Sequence, residues 1–174
     1  ILGVDVSRCL FAALDLSRSI QVLKLKDCAI QSVFPEFKDN TSLRDLDISQ
    51  NNLDHGSIQA LVLGIKFPNL KKLNISNQSH ILPGIVPLQE RTELSDIIPE
   101  EGTQANVLER LIMKGFDFKD YKNVFTAQLK PIFANLKYLD LSESKSLDVF
   151  LDNLTGNMMG AKVMGLNSTI RISH

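Results

Sequence analysis

The side chains that most often carry catalysis are few in this sequence and lie far apart in it. Its three histidines are His55, His80 and His174, two in turn regions and one at the end of the chain. A nucleophile, a base and an orienting acid must meet in space, and the nine dispersed glycines form no phosphate-binding loop. The sequence therefore predicts a protein that is not an enzyme and has no cofactor.

Two cysteines, Cys9 and Cys28, are the remaining candidates for metal or redox chemistry. A zinc site needs more Cys and His at short spacing, so no metal is predicted, and buried free thiols are favoured over a disulfide. Small secreted scaffolds carry more cysteines in paired clusters, which favours an intracellular, cytoplasmic location. Five Asn-x-Ser/Thr triplets keep an extracellular location open. They begin at Asn40, Asn74, Asn77, Asn153 and Asn167.

Length and charge narrow the class of partner. The 174 residues suggest a single domain, and 19 Lys and Arg against 20 Asp and Glu leave a formal charge of -1. Without a basic excess to pair with phosphates, nucleic acid is not expected as a partner, and no apolar run reaches the roughly 18 residues of a membrane span. The chain starts at Ile1 without a signal-peptide pattern, which suggests a fragment or a processed piece.

The elements that would position side chains come from an internal repeat. Its pattern is apolar-x-x-apolar-x-apolar-x-x-Asn-x-apolar, with Cys, Ser or Thr in place of Asn, and the copy from Leu43 to Leu53 is the clearest. Seven copies share one register across residues 1–174, and most of their spacings fall in the ~20–29 residues of known repeats. The fourth residues of the copies are Val4, Leu23, Leu46, Leu73, Leu111, Leu139 and Met164, with a register through Val163 and Leu166 as the alternative for the last.

Strand geometry assigns a role to each position of the repeat. Because successive side chains of a strand point to opposite faces, the fourth and sixth positions are expected to face a core, and the third, fifth and seventh to face outward. The ninth residue lies where the chain must turn off the sheet, and an Asn such as Asn51 can satisfy turn backbone groups there. Phe116 departs from this pattern, so the turn after Leu111 is expected to differ from the others.

The repeat resembles the leucine-rich-repeat superfamily. Asn51, Leu53 and Gly56, followed by Ala60 and Leu61, are similar to the turn-into-helix pattern of the ribonuclease-inhibitor-like subfamily. The resemblance implies an α/β fold of a particular kind. It would be a curved, right-handed solenoid, with a parallel β-sheet on the concave face and short helices and turns on the convex face.

Two segments between the predicted strands stand out. Residues 55–65 hold apolar side chains at helical spacing, so a helix is predicted there with Ser57 as its cap. Residues 80–106 form an acidic insertion with three prolines and five carboxylates. Such a loop is either a surface insertion that costs little stability or a partner-binding loop, and the sequence leaves both open.

The outward strand positions are the predicted site. Their charges change sign between repeats, which indicates either cross-strand pairing that stabilises the sheet or a patterned surface for a protein partner. We expect a protein-protein interaction module that holds a partner on the concave face and is part of a larger protein. The alternative is a recognition or autoinhibitory segment of a multidomain enzyme, effector or signalling receptor whose catalytic part lies outside this chain. The predicted contact residues are Val22, Lys24, Lys26, Asp45, Asp47, Lys72, Asn74, Arg110, Ile112, Lys114, Tyr138 and Asp140.

Overall fold

The computed structural model describes residues 4–33, 40–64, 67–78, 107–119, 135–148 and 162–164 of the chain. The acidic insertion predicted over 80–106 lies outside these residues. In the described part, helix α1 spans Val4–Leu16 and helix α2 spans His55–Leu63. No helix there has the length and apolar character that a membrane crossing requires.

Among the described residues, six strands of three residues each form one sheet, and every neighbouring pair is parallel. Each strand pairs with the strand that follows it in the chain, so the order across the sheet is the order of the sequence. Parallel neighbours need a crossover connection between them, and α2 lies in the crossover from the second strand to the third. The architecture is therefore α/β. The strands are β1 (Val22–Lys24), β2 (Asp45–Asp47), β3 (Lys72–Asn74), β4 (Arg110–Ile112), β5 (Tyr138–Asp140) and β6 (Lys162–Met164).

The pairing register aligns the fourth positions of the repeat. Leu23, Leu46, Leu73, Leu111 and Leu139 lie at the centres of β1–β5 and are direct cross-strand partners. All but Leu23, on the edge strand, are buried, and so are the sixth-position side chains two residues later. These two columns form the strand side of the hydrophobic core. In β6 the partner of Leu139 is Val163, so the anchor Met164 is wrong by one residue and the strand follows the alternative register at Val163.

The strand predicted around Val4 is also wrong, because Val4 is the first residue of α1. The helix buries Phe11 and Leu14 in the core, and their spacing of three residues places both on one helical face. Cys9 is exposed on this helix, whereas Cys28 is half-buried in the turn after β1. The two thiols therefore do not occupy equivalent turns, and both are free.

The chain leaves the sheet in the same way after each of the strands β1–β5. The eighth residue of the repeat has a left-handed backbone in all five cases: φ is 55° at Asp27, 56° at Gln50, 53° at Asn77, 67° at Gly115 and 64° at Glu143. Side-chain-bearing residues rarely adopt this conformation. At Gly115 a β-carbon would in addition overlap the side-chain oxygen of Asn77 in its present position, so a larger residue there would require the exposed Asn77 side chain to move.

The ninth residue holds successive turns together. The Asn51 side chain accepts hydrogen bonds from the backbone N–H groups of Cys28 and Ile30, both at 3.0 Å, and donates to the carbonyls of Leu25 and Ile48, both at 2.8 Å. Asn51 thus satisfies backbone groups of its own turn and of the preceding one, as its position in the repeat predicts.

Gln78 and Ser144 occupy the same position in later repeats. Gln78 donates to the carbonyls of Ile48 and Ile75, both at 3.1 Å, and Ser144 donates to the carbonyl of Met113 at 2.9 Å. These three side chains form a row, which we call the turn ladder (Asn51, Gln78 and Ser144). Phe116 interrupts it: its ring is buried and stacks on Phe118, with centroids 5.9 Å apart.

Helix α2 begins one turn earlier than its predicted cap. Asp54 is the N-cap and its carboxylate accepts from the Ser57 backbone N–H at 2.6 Å, so the prediction of Ser57 as cap is wrong. The buried Ser57 hydroxyl instead accepts from the Val33 N–H at 2.7 Å. Gly64, with φ of 69°, ends the helix, because glycine adopts the left-handed conformation without steric cost.

Candidate functional site

The third, fifth and seventh positions of β1–β5 form a single surface, which we call the open face. The register places the third positions in one column and the fifth positions in another, which brings ten of the twelve predicted contact residues together on this face. The other two, Lys26 and Lys114, are seventh-position residues that follow β1 and β4. The accessibility of the predicted residues differs widely: Val22 is 57% exposed, whereas Asp140 is 4% exposed. The third-position column is Val22, Asp45, Lys72, Arg110 and Tyr138, and the fifth-position column is Lys24, Asp47, Asn74, Ile112 and Asp140.

Three strands carry the same local hydrogen-bonded unit on the open face. In each, the side-chain oxygen of the fifth residue accepts from both the hydroxyl and the backbone N–H of the serine two residues later. The hydroxyl distances are 2.6 Å for Asp47 with Ser49 and 2.7 Å for Asn74 with Ser76 and for Asp140 with Ser142. These oxygens therefore have a structural role, which limits their availability to a partner.

Two ion pairs cross between strands on the open face. Lys72 lies 3.7 Å from an oxygen of Asp45, and Lys114 lies 3.3 Å from Asp140. Cross-strand pairing, the structural interpretation of the alternating charges, accounts for these four residues. The ion pair between Lys72 and Asp45 is well exposed and adds little stability. In the second ion pair, the Asp140 carboxylate is buried beneath Lys114.

The pKa of the Asp140 carboxyl lies below its ordinary value of 3.8. Burial by itself raises this pKa, because it disfavours the charged form. Hydrogen bonds from the side chain and backbone of Ser142, together with the hydrogen bond and charge of Lys114, act in the opposite direction and outweigh burial. Asp140 is therefore held as a carboxylate.

Acid should destabilise the fold through Asp140. A carboxyl whose pKa is lower in the folded chain contributes stability that is fully present above its unfolded value, near 3.8, and that is lost as the pH falls through the folded pKa. We expect Asp140→Asn to cost about 1–2 kcal/mol at neutral pH. In urea titrations between about pH 2 and pH 5, the variant should then lose less stability on acidification than the wild type. Asp148→Asn, an exposed change, is the matched control, and parallel curves for Asp140→Asn and wild type would contradict the assignment.

Arg110 is a cation of the open face that lies against an aromatic ring. Its guanidinium lies over the ring of Tyr138, 4.2 Å from the ring centroid, and the Tyr138 hydroxyl donates to Asp140 at 3.2 Å. The sequence places both residues in the third-position column of consecutive repeats, which predicts that they are neighbours. It does not fix the rotamers that bring the guanidinium over the ring.

At the β1 edge of the open face, the charged side chains do not form ion pairs within the described part of the chain. Among the described residues, Lys24 and Lys26 have no carboxylate within ion-pair distance. Val22 beside them is an apolar residue that is 57% exposed. This edge therefore presents cationic and apolar groups to solvent.

A second charged row lies outside the open face, at the second positions of the repeat. Glu109 is 3.5 Å from Lys71 and 3.0 Å from Lys137. The hydrogen bond from Lys137 is the main reason that the pKa of Glu109 is lowered. This row provides charge-matched control positions for tests of the open face.

The described residues contain no group of three or more His, Cys, Asp or Glu side chains that could hold a metal ion. Comparison with known proteins does not supply a family. No family model matches the chain, and no curated protein is significantly similar to it. What the chain does must therefore be inferred from the repeat and from the open face.

Proposed function

We propose that the chain is a leucine-rich-repeat solenoid that binds a partner protein on the open face, with no reaction of its own. The observation that carries the proposal is the repetition of one unit. Strands β1–β5 share a pairing register, a left-handed eighth residue and apolar fourth and sixth positions, all of them buried except the half-buried Leu23. Units of this kind contact their sequence neighbours, and their stacking produces an extended surface suited to binding.

The difference between the spacing of strands and the spacing of packed helices supports the expectation that the open face is the concave one. Adjacent strands lie about 4.8 Å apart, whereas packed helices need about 8–10 Å between their axes. A stack that places strands on one side and segments such as α2 on the other must curve toward the strands. The side chains of several repeats would then converge on one partner.

The alternative, a recognition or autoinhibitory segment of a larger protein, uses the same face with a partner in the same chain. Exposed apolar side chains at the β1 edge favour it, since Leu16 is 83% exposed and Ile20 and Val22 are also exposed. Such side chains gain from being covered. In both cases the bound object is a protein surface.

Two of the five Asn-x-Ser/Thr triplets have a structural explanation, which supports the intracellular proposal. Asn40 is buried, and its amide donates to the carbonyl of Leu14 while its oxygen accepts from the N–H groups of Ser42 and Leu43. Asn74 is held by Ser76 on the open face. Neither asparagine needs a glycan to account for its presence.

The proposal can be tested by quantitative affinity capture with charge-reversal variants. Lys72→Glu combined with Arg110→Glu should reduce recovery of a specifically bound protein by about tenfold or more, because it reverses two neighbouring charges on the open face. Lys71→Glu combined with Lys137→Glu makes the same net change outside that face and should leave recovery unchanged. Equal recovery with the two double variants would refute binding through the open face.

A further inference from the structure

We infer that Arg110 and Tyr138 form the anchoring subsite of the open face, and that this subsite takes a carboxylate from an acidic segment of the partner protein. The inference rests on the proposed partner-binding function and adds the chemistry of the bound group. Arg110 and Tyr138 differ in this from most charged residues of the open face, which form ion pairs or hydrogen bonds within the chain.

The Arg110 guanidinium is held in place by the Tyr138 ring, but no carboxylate of the described residues neutralises its charge. Its central carbon lies over the ring of Tyr138, 4.2 Å from the ring centroid, and the residue is exposed. Within the described residues, no carboxylate lies within ion-pair distance of Arg110. A guanidinium edge matches a carboxylate in a two-pronged hydrogen-bonded pair, and stacking on an aromatic ring leaves that edge accessible.

Tyr138 is in turn held by a hydrogen bond to a buried residue of its own strand. Its hydroxyl donates to Asp140 at 3.2 Å, and the buried Asp140 is held by Ser142 at 2.7 Å and by Lys114 at 3.3 Å. The ring therefore has little freedom, and the guanidinium that stacks on it loses less conformational entropy when a ligand binds. Groups that are ordered before binding give higher affinity for the same contacts.

The charge of the open face points to an acidic partner. Its β1–β5 positions carry five cations and three carboxylates, a net charge of +2, although the whole chain has a formal charge of -1. Two of the carboxylates, Asp45 and Asp140, are already in ion pairs. The excess therefore attracts a segment of opposite charge. The cations are Lys24, Lys26, Lys72, Arg110 and Lys114, and the carboxylates are Asp45, Asp47 and Asp140.

A pair of peptides tests the chemistry directly. The probes are rhodamine-labelled peptides of alternating Glu and Ser, or of alternating Gln and Ser, each blocked at both ends, with binding measured by fluorescence anisotropy on the full chain. We expect the Glu peptide to bind about tenfold or more tightly than the Gln peptide, and Arg110→Gln to remove most of that difference. Arg110→Lys, which keeps the charge but not the planar edge, should recover only part of it. Lys71→Gln is the matched control and should change affinity less than about twofold.

Several results would overturn the inference. These are equal binding of the two peptides, or equal weakening of the Glu peptide by Arg110→Gln and Lys71→Gln in variants with unchanged thermal unfolding. If the open-face double variant loses its captured protein while the peptides are not discriminated, this inference fails and the proposed function stands. If binding of the Glu peptide depends on Arg110 but capture is unaffected, the proposed function fails and the carboxylate subsite stands.

Discussion

Replacing Asn51 with alanine should lower the free energy of unfolding by roughly 3–4 kcal/mol. The side chain is fully buried, and its removal leaves the N–H groups of Cys28 and Ile30 without their acceptor and the carbonyl of Leu25 without a donor. The carbonyl of Ile48 loses one of its two donors and keeps Gln78. A buried polar group that loses its partner costs about 1–3 kcal/mol. Local movement of the backbone, and water that enters the space left by the side chain, should offset part of the summed cost of these unpaired groups. Urea denaturation followed by circular dichroism measures the loss.

Asn52→Ala is the matched control for Asn51→Ala. Asn52 is the adjacent residue of the same type, it is half-buried, and only its backbone N–H takes part in the described bonding, donating to the carbonyl of Ile30. We expect this variant to lose less than about 0.5 kcal/mol. Similar losses in the two variants would mean that the turn ladder does not hold successive turns together.

Substituting Phe116 with asparagine should destabilise the chain by about 3–5 kcal/mol, although it introduces the residue most typical of the ninth position. Removal of the buried ring leaves a cavity beside Phe118. The carbonyls of Ile75 and Met113 already accept from Gln78 and Ser144, so the new amide would share its acceptors, as Asn51 and Gln78 share the carbonyl of Ile48. Such shared bonds should not compensate for the lost packing of the ring.

Phe116→Leu separates the packing of this site from its polarity. Leucine keeps most of the apolar volume and adds no hydrogen-bonding group, so we expect a loss of only about 1–2 kcal/mol. Thermal unfolding of the two variants gives the comparison. An asparagine variant as stable as the leucine variant would show that the turn after β4 can adopt the bonding of the turn ladder.

The centres of β1–β5 could be predicted because each strand combines two inward apolar positions with a turn of fixed length. The same pattern failed at Val4, where the alternation of Val4 and Val6 is followed by Leu10, Phe11 and Leu14 at helical spacing. Helix formation is cooperative along the chain, and a thirteen-residue helix includes the apparent strand. In β6 the adjacent apolar residues 163 and 164 could not fix a register, because a slip of one residue exchanges the two faces.

Membership of the open face was predictable, whereas the contacts on it were not. The alternation of side chains along a strand assigns Arg110 and Tyr138 outward from the sequence alone. Their stacking depends on rotamers and on the anchor supplied by Asp140. Likewise, the use of Asp47 and Asp140 by serines two residues later is a local hydrogen bond that competes with partner binding. An interpretation based on charge alone does not include that competition.

The sequential strand order has a mechanical consequence. In the described sheet each strand bonds only to the strands before and after it in the chain, so no contact ties one end of the sheet to the other. A pulling force applied along the chain would remove strands one at a time from the edges, each step breaking one short ladder and one set of turn contacts. A bound partner that contacts several strands would have to detach before those strands could separate. Unfolding under force would then show one larger force peak in place of a series of small steps.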